Sequence, residues 1–273
     1  MKTAKTLAGT AAVVVMAMGA AGCSLAGTQA ANTAADTAEA MIASLGAASD
    51  AASQAGSAEV RMTVTSPDTN GAPTVMTGTY SWGNGLAMEA EMPAADLDMQ
   101  DLVKDGTVTY RLVRGAYYYQ VDPAESGEFK GKSWLKLDAS AVLGDKGAAG
   151  LSGPNNDPTA GLKMLKWAKG VDKVGKEDVN GKPTVHYKAT IPADKLGKDA
   201  AATFQSLGGS GELVTDVWVD DKGMPARLTQ AFGPTNVSMD FLSFGAAKEI
   251  AVPPAAETAD MTEAYKEANA GAA

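Results

Sequence analysis

Reactive side chains are scarce in this chain, and the few present limit the chemistry it could perform. One histidine, His186, and one cysteine, Cys23, occur in 273 residues. A single histidine rules out a histidine-based metal cage, and a catalytic triad would have to use His186 itself. His186 alternates with Thr184 and Lys188 on the polar face of a run whose other face is Val185, Tyr187, Ala189 and Ile191. It therefore reads as a solvated strand residue rather than a general base. Carboxylate pairs occur at Glu89/Glu91, Asp96/Asp98 and Asp220/Asp221. The first pair falls on the wet side of an alternating strand, and Asp220-Asp221 falls in a turn, where Asp is favoured for its short polar side chain. Asp68-Thr69-Asn70-Gly71 begins like a calcium loop but lacks the remaining ligands at the required spacing. No enzyme, bound metal or cofactor is expected from these residues.

Cys23 is different because of what precedes it. Lys2 and Lys5 give a positive start, the stretch from Leu7 to Met18 is apolar, and Ala20, Ala21 and Gly22 are small. That apolar stretch is shorter than the roughly 20 residues a spanning helix needs. Charged head, short apolar middle and small-residue exit make a secretory leader over residues 1–22. Ala20-Ala21-Gly22-Cys23 resembles a lipobox, with Ala20 where Leu is usual. In that motif the cysteine thiol receives a diacylglyceryl group and becomes the new N-terminus. An exported chain with one cysteine cannot close an internal disulfide. Two long acyl chains contribute on the order of 20 kcal/mol of membrane attachment. Residues 23–34 then read as a lipidated flexible tether, leaving the protein on the outer face of a membrane.

Charge narrows the partners further. The formal net charge is −9, and loss of the two leader lysines makes it −11. Nucleic acid finds no electrostatic footing on such a surface, and a basic rim for phospholipid headgroups is missing. The composition is 45% hydrophobic but only 6% aromatic, so Ala, Val, Leu and Met must build the core.

These residues need elements to position them. Asp36 is a plausible N-cap for a helix that puts Met41, Ile42, Leu45, Ala48 and Ala52 on one face and ends at Gly56. The period then changes to two. Val60/Met62/Val64 alternate with Glu59/Arg61/Thr63, and the pattern returns at Leu86–Met92, 107–112, 117–121 and 134–137. Asn70-Gly71, Asn84-Gly85, Asp105-Gly106 and Arg114-Gly115 supply the turns. Residues 139–154, rich in Gly, Ala and Ser, read as a mobile loop and a candidate lid. Asp157-Pro158 opens a short helix, a hairpin turns at Asn180-Gly181, and a further helix is expected over 193–207. Strands at 213–220, 224–232 and 236–244 close the domain, with at best a weak surface helix in the tail after Glu257. One-sided strands in this number, about ten or eleven, predict an α+β fold: a curled antiparallel half-barrel with helices on its concave face.

Several stretches resemble a known family. They are Ser57-Ala58-Glu59-Val60 behind an Ala-rich helix, Asn180-Gly181-Lys182-Pro183-Thr184-Val185-His186-Tyr187, the run from Val217 through Asp220-Asp221-Lys222-Gly223 to Pro225, and Val252-Pro253-Pro254. Together with the lipobox and the strand order, they resemble the actinobacterial lipoproteins related to LppX and LprG, and more distantly the carriers LolA and LolB. The resemblance covers roughly residues 35–256, the half-barrel domain, and leaves 257–273 as a C-terminal tail. It implies a U-shaped half-barrel that holds acyl chains of lipids, glycolipids or lipoproteins between sheet and helices, with no enzymatic activity.

Candidate walls of such a cavity are Met62, Met88, Tyr110, Leu112, Tyr119, Val217 and Leu228, all on apolar strand faces. Flexible, polarisable Met suits a wall that fits variable acyl chains, and it equally fills gaps in a core short of Phe. The inward Tyr hydroxyls need partners, which a ligand's polar groups or buried water would supply. The expected function is a membrane-anchored lipoprotein binding a lipid or other acylated ligand and carrying it across the envelope. The alternative is an envelope sensor or interaction protein of the same fold that binds a protein partner and no lipid cargo.

Overall fold

The computed structural model describes residues 37–67, 72–83, 85–127, 129–151, 157–159, 162, 165, 168–196, 201, 204–205, 209–245 and 249–269. The leader, Cys23, the tether and the turn at 68–71 lie outside the described residues. So do most of the helix expected after Pro158 and most of the one expected over 193–207.

Twelve strands form one open sheet. The first six are β1 (Ser57–Thr65), β2 (Thr74–Ser81), β3 (Ala87–Pro93), β4 (Thr107–Val113), β5 (Ala116–Gln120) and β6 (Trp134–Asp138). The others are β7 (Gly170–Val179), β8 (Lys182–Pro192), β9 (Glu212–Asp220), β10 (Pro225–Phe232), β11 (Thr235–Phe244) and β12 (Thr258–Asp260). Their order is β12-β6-β5-β4-β3-β2-β1-β11-β10-β9-β8-β7. Every pairing is antiparallel except that of β12 with β6, which is parallel. This is the expected α+β half-barrel, with twelve strands instead of ten or eleven. The two extra strands are β2 and β12. Threonines outward and a glycine inward hide the alternation of β2, and the three residues of β12 are too few to show a period.

Tight turns set the register as the sequence suggested. Arg114-Gly115 and Asn180-Gly181 both have two successive positive φ angles, 52° and 73° in the first and 52° and 75° in the second. That is the type I′ geometry whose twist matches a two-residue hairpin. Asp220 Oδ1 accepts hydrogen bonds from the backbone N–H groups of Lys222 and Met224, both at 2.9 Å, which fixes the β9–β10 turn.

Helix α1 (Ala38–Ala55) lies on the concave side and contacts β1, β7 and β10. Its N-cap is Thr37 rather than Asp36: the Thr37 hydroxyl accepts from Ala40 N at 3.2 Å. Gly56 ends it in the left-handed conformation, as expected. Met41, Leu45 and Ala48 pack on Val60, Val217, Leu228 and Phe241 in the main core, with Leu162, Leu165, Leu196 and Phe204 beside them. Residues 139–154, expected as a loop, form helix α2 (Ala139–Leu151) as far as they are described, interrupted at Gly144. Alanine has the strongest helix propensity, and Gly144 (φ 69°, ψ 169°) takes a conformation that breaks the helix without Cβ strain. Helix α3 (Thr262–Asn269) follows β12, so the stretch after Glu257 adds both a strand and a helix.

One inward position admits no side chain. A Cβ on Gly78 would lie 1.9 Å from the Glu89 carbonyl oxygen and 2.6 Å from Ala90 Cα. Gly78→Ala must therefore push β2 and β3 apart. Overpacking of this kind costs roughly 1–3 kcal/mol; urea denaturation of the variant should show a loss in this range.

Lys136 Nζ joins Asp138 and Asp260, both at 2.9 Å, and so ties β12 to β6. Burial opposes the Asp260 charge, but hydrogen bonds from Lys136 and Thr262 outweigh it and push the carboxyl down to about 2. A depressed carboxyl stabilises the fold above its ordinary value near 3.8 and loses that contribution as pH falls toward about 2. Protection factors of the Met261 and Tyr265 amides, taken against intrinsic exchange at each pH, should therefore fall over this acid window, and Asp260→Asn should flatten that dependence.

Candidate functional site

Cross-strand register shows which inward residues meet. Met76, Met62, Met239, Leu228, Val217 and Tyr187 form one row across β2, β1, β11, β10, β9 and β8. A second row joins Ala58, Tyr80, Met88, Leu112, Tyr117 and Leu137 across β1 to β6. A third joins Val60, Gly78, Ala90, Tyr110, Tyr119, Leu135 and Ala259, from β1 to β12. All seven expected wall residues lie on this concave face.

They occupy two different environments. Val217 and Leu228 are buried in the core beneath α1, at 1% and 6% exposure, and Met62 packs against that core. Met88, Tyr110 and Tyr119 are half-buried and belong to neither packed cluster; Leu112 beside them is buried. The β7–β11 side of the trough is therefore filled by the protein's own side chains. The β2–β6 side presents a tyrosine-rich surface.

That surface carries no charge. The inward positions in the two rows from β2 to β6 are Gly, Ala, Met, Leu and Tyr, whereas Glu89, Arg111, Lys136 and Asp138 alternate outward on the same strands. Tyr110 lies 5.9 Å from Tyr117 and 5.6 Å from Tyr119 between ring centroids, and Tyr80 lies 5.8 Å from Trp82. Burial pushes the Tyr80 and Tyr119 hydroxyls up to about 12 and raises Tyr110 and Tyr117 as well. All four stay neutral at physiological pH.

At one end of these strands lies a cavity of about 960 Å³. Its described lining comes from the α1–β1 junction (Ala55, Gly56, Ser57), the β2–β3 and β4–β5 turns (Gly83, Gly85, Leu86, Arg114, Gly115), Leu151 of α2, and the segment 249–252. Ser81, Ala87 and Val113 complete it. None of the seven expected wall residues lines this cavity. The sequence offered no period there, because turns and a crossing segment build it. Segment 249–252 runs over the outer face: Ile250 packs with Val113, Ala116, Tyr118 and Trp134, and Arg111 Nη1 donates to Ala251 O at 3.2 Å. The Arg111 guanidinium sits 4.6 Å above the Trp134 ring and pairs with Glu89, so this carboxylate has a structural partner.

His186 lies on the outer face, as expected, but it is buried rather than solvated. Its Nδ1 is 2.9 Å from Glu177 Oε1, its Nε2 is 2.8 Å from Asp216 Oδ1, and its ring stacks on Trp218 at 4.1 Å. Trp218 Nε1 donates to Glu177 Oε2 at 2.6 Å, and this bond, with that of His186, holds the Glu177 carboxyl below its ordinary range. With both ring nitrogens on carboxylates, neither meets a hydroxyl nucleophile. Arg227 sits 5.7 Å over Trp218 and pairs with Asp240, extending the network. Among the described residues no group of three or more His, Cys, Asp or Glu side chains is placed to hold a metal ion.

No family model matches the chain. It is 26% identical over 215 residues to an uncharacterized 31.2 kDa protein of Streptomyces griseus from the rplA–rplJ intergenic region, covering 71% of this chain and 70% of that one. It is also 26% identical over 161 residues to a candidate lipoprotein of Streptomyces coelicolor, covering 56% of this chain and 51% of the other. Among solved structures, the Mycobacterium tuberculosis lipoprotein LppX superposes with a TM-score of 0.55 at 15% identity, over 79% of this chain and 100% of LppX. The fold is thus the LppX-like curled α+β half-barrel, which agrees with the resemblance noted in the sequence. Among the described residues no helix is long and apolar enough to cross a membrane.

Proposed function

We propose that this chain is an extracytoplasmic lipoprotein, held to a membrane by acylated Cys23, that binds a lipid or other acylated hydrophobic ligand and carries it across the cell envelope. The observation that carries this reading is the uncharged part of the concave face around Met88, Tyr110, Tyr117 and Tyr119, which belongs to neither packed cluster among the described residues. Ligand sites of this type are concave and mostly apolar, with a few polar groups that fix orientation. The likeness to LppX and to the Streptomyces coelicolor protein supports the lipoprotein assignment.

A second reading has support in the filled half of the trough. Val217 and Leu228 are packed solid, as in an interaction lipoprotein with no lipid cargo. Crosslinking in the native envelope separates the two, since one dominant protein adduct favours the second.

Native mass spectrometry of the full chain, extracted in mild detergent, should show lipid adducts that leave on collisional activation. A clean apo mass, with no uptake of a fluorescent fatty acyl probe, removes the lipid reading. Cys23→Ala should move the protein from the membrane fraction to the soluble one; unchanged membrane retention removes the anchor.

A further inference from the structure

The rim cavity has its floor on the outer face of the sheet, on the opposite side from the trough. Ser57, Ser81, Ala87 and Val113 line it and stand opposite one another across β1, β2, β3 and β4 in a single register row. They alternate with the inward row that runs from Ala58 through Tyr80 and Met88 to Leu112. The next outward row is Glu59, Thr79, Glu89 and Arg111. Small side chains at the floor thus leave a volume of about 960 Å³ that longer ones would fill. Residues 249–252 form the facing wall, with Ile250 seated beside Val113.

The chemistry of the walls narrows the ligand. Residues 249–254 belong to no helix, strand or turn, and the prolines at 253 and 254 hold the residue before each in extended backbone. Four consecutive residues, Glu249 to Val252, line the cavity, so the main chain itself runs along it rather than presenting alternate side chains. Gly85 and Gly115 line it too, and a Cβ added at either would meet nothing within 4 Å, which leaves their main chain open to a ligand. The described lining holds no aromatic ring on which a nucleobase or other flat ring could stack. Its charges are Arg114 and Glu249, both exposed and of opposite sign, a pair that suits neither a polyanion nor a polycation. A peptide in extended form fits these features: its main chain pairs with exposed main chain, and its alternate side chains meet the floor.

We propose that this outer-face cavity binds a short extended peptide. Its main chain lies along residues 249–252, and its small side chains rest on Ser81 and Ala87. An acidic group points toward Arg114 and a basic group toward Glu249. The site stands apart from the concave face and goes beyond the lipid reading, so either can fail alone.

Fluorescence anisotropy of the full chain, purified in detergent, tests this with two labelled hexapeptides, Lys-Ala-Ser-Ala-Ser-Glu and its reverse, Glu-Ser-Ala-Ser-Ala-Lys. One direction should bind at least about 5-fold tighter than the other, because the rim charges fix the polarity of the chain. Arg114→Asp combined with Glu249→Arg should reverse that preference. Both positions are exposed, and Asp tolerates the φ of 52° at position 114. N-methylation of the central amides should weaken the preferred peptide at least about 10-fold. The proposal is overturned by a lack of saturable binding, by equal binding of the two directions, by a preference the double variant does not reverse, or by undiminished binding of the methylated peptide. None of these results bears on lipid adducts in native mass spectrometry, and a clean apo mass there leaves this site standing.

Discussion

An antiparallel sheet with one apolar face must hide that face from water, and here the sheet is wider than helix α1 can cover. Strands stand about 4.8 Å apart, so twelve of them span roughly 50 Å before curling. Helix α1 is about 27 Å long and about 10 Å across. It settles on β1, β7 and β10, where the small side chains of Ala48 and Ala52 let it approach closely. At Gly78 the bare backbone lets β2 and β3 approach closely. Among the described residues, Met88, Tyr110, Tyr117 and Tyr119 on β3 to β5 stay outside the packed cluster beneath α1. The tyrosines there combine large apolar rings with hydroxyl tips, the residue type that tolerates both protein and ligand as a neighbour.

The outer face is managed by other means. Glu89 with Arg111, Arg227 with Asp240, and His186 between Glu177 and Asp216 satisfy charges by pairing them across neighbouring strands. The chain's last stretch crosses this face, seats Ile250 beside Trp134, and then joins the sheet edge as β12. The same crossing roofs the rim cavity. Segment 249–260 thus links the outer-face packing, the rim cavity and one sheet edge. Lys136, between Asp138 and Asp260, is the polar fastening of that edge.

Much of the sheet was legible because period-two alternation reports directly which face is buried. Val60/Met62, Met88/Ala90, Tyr110/Leu112 and Tyr117/Tyr119 all face inward as their spacing required. Alternation reports the face but not what lies opposite, so it grouped Val217 and Leu228 with Tyr110 although α1 covers only the former. Strand β2 was hidden by Gly78 and its threonines, and helix α2 by its glycines. His186 looked solvated because cross-strand partners 9 and 30 residues away leave no local trace. The rim cavity was unreadable for a similar reason: its walls are turns and a crossing segment brought together only by the completed sheet.

The central claim is that lipid, rather than protein, completes the β2–β6 half of the trough. Photocrosslinking tests it most directly: an acyl ester bearing a mid-chain diazirine is photolysed with the full chain in its membrane, and the labelled peptides are mapped. The account predicts adducts on Met88, Tyr110, Leu112, Tyr117 or Tyr119. Adducts confined to outward positions such as Glu89, Arg111 and Lys136 would contradict it.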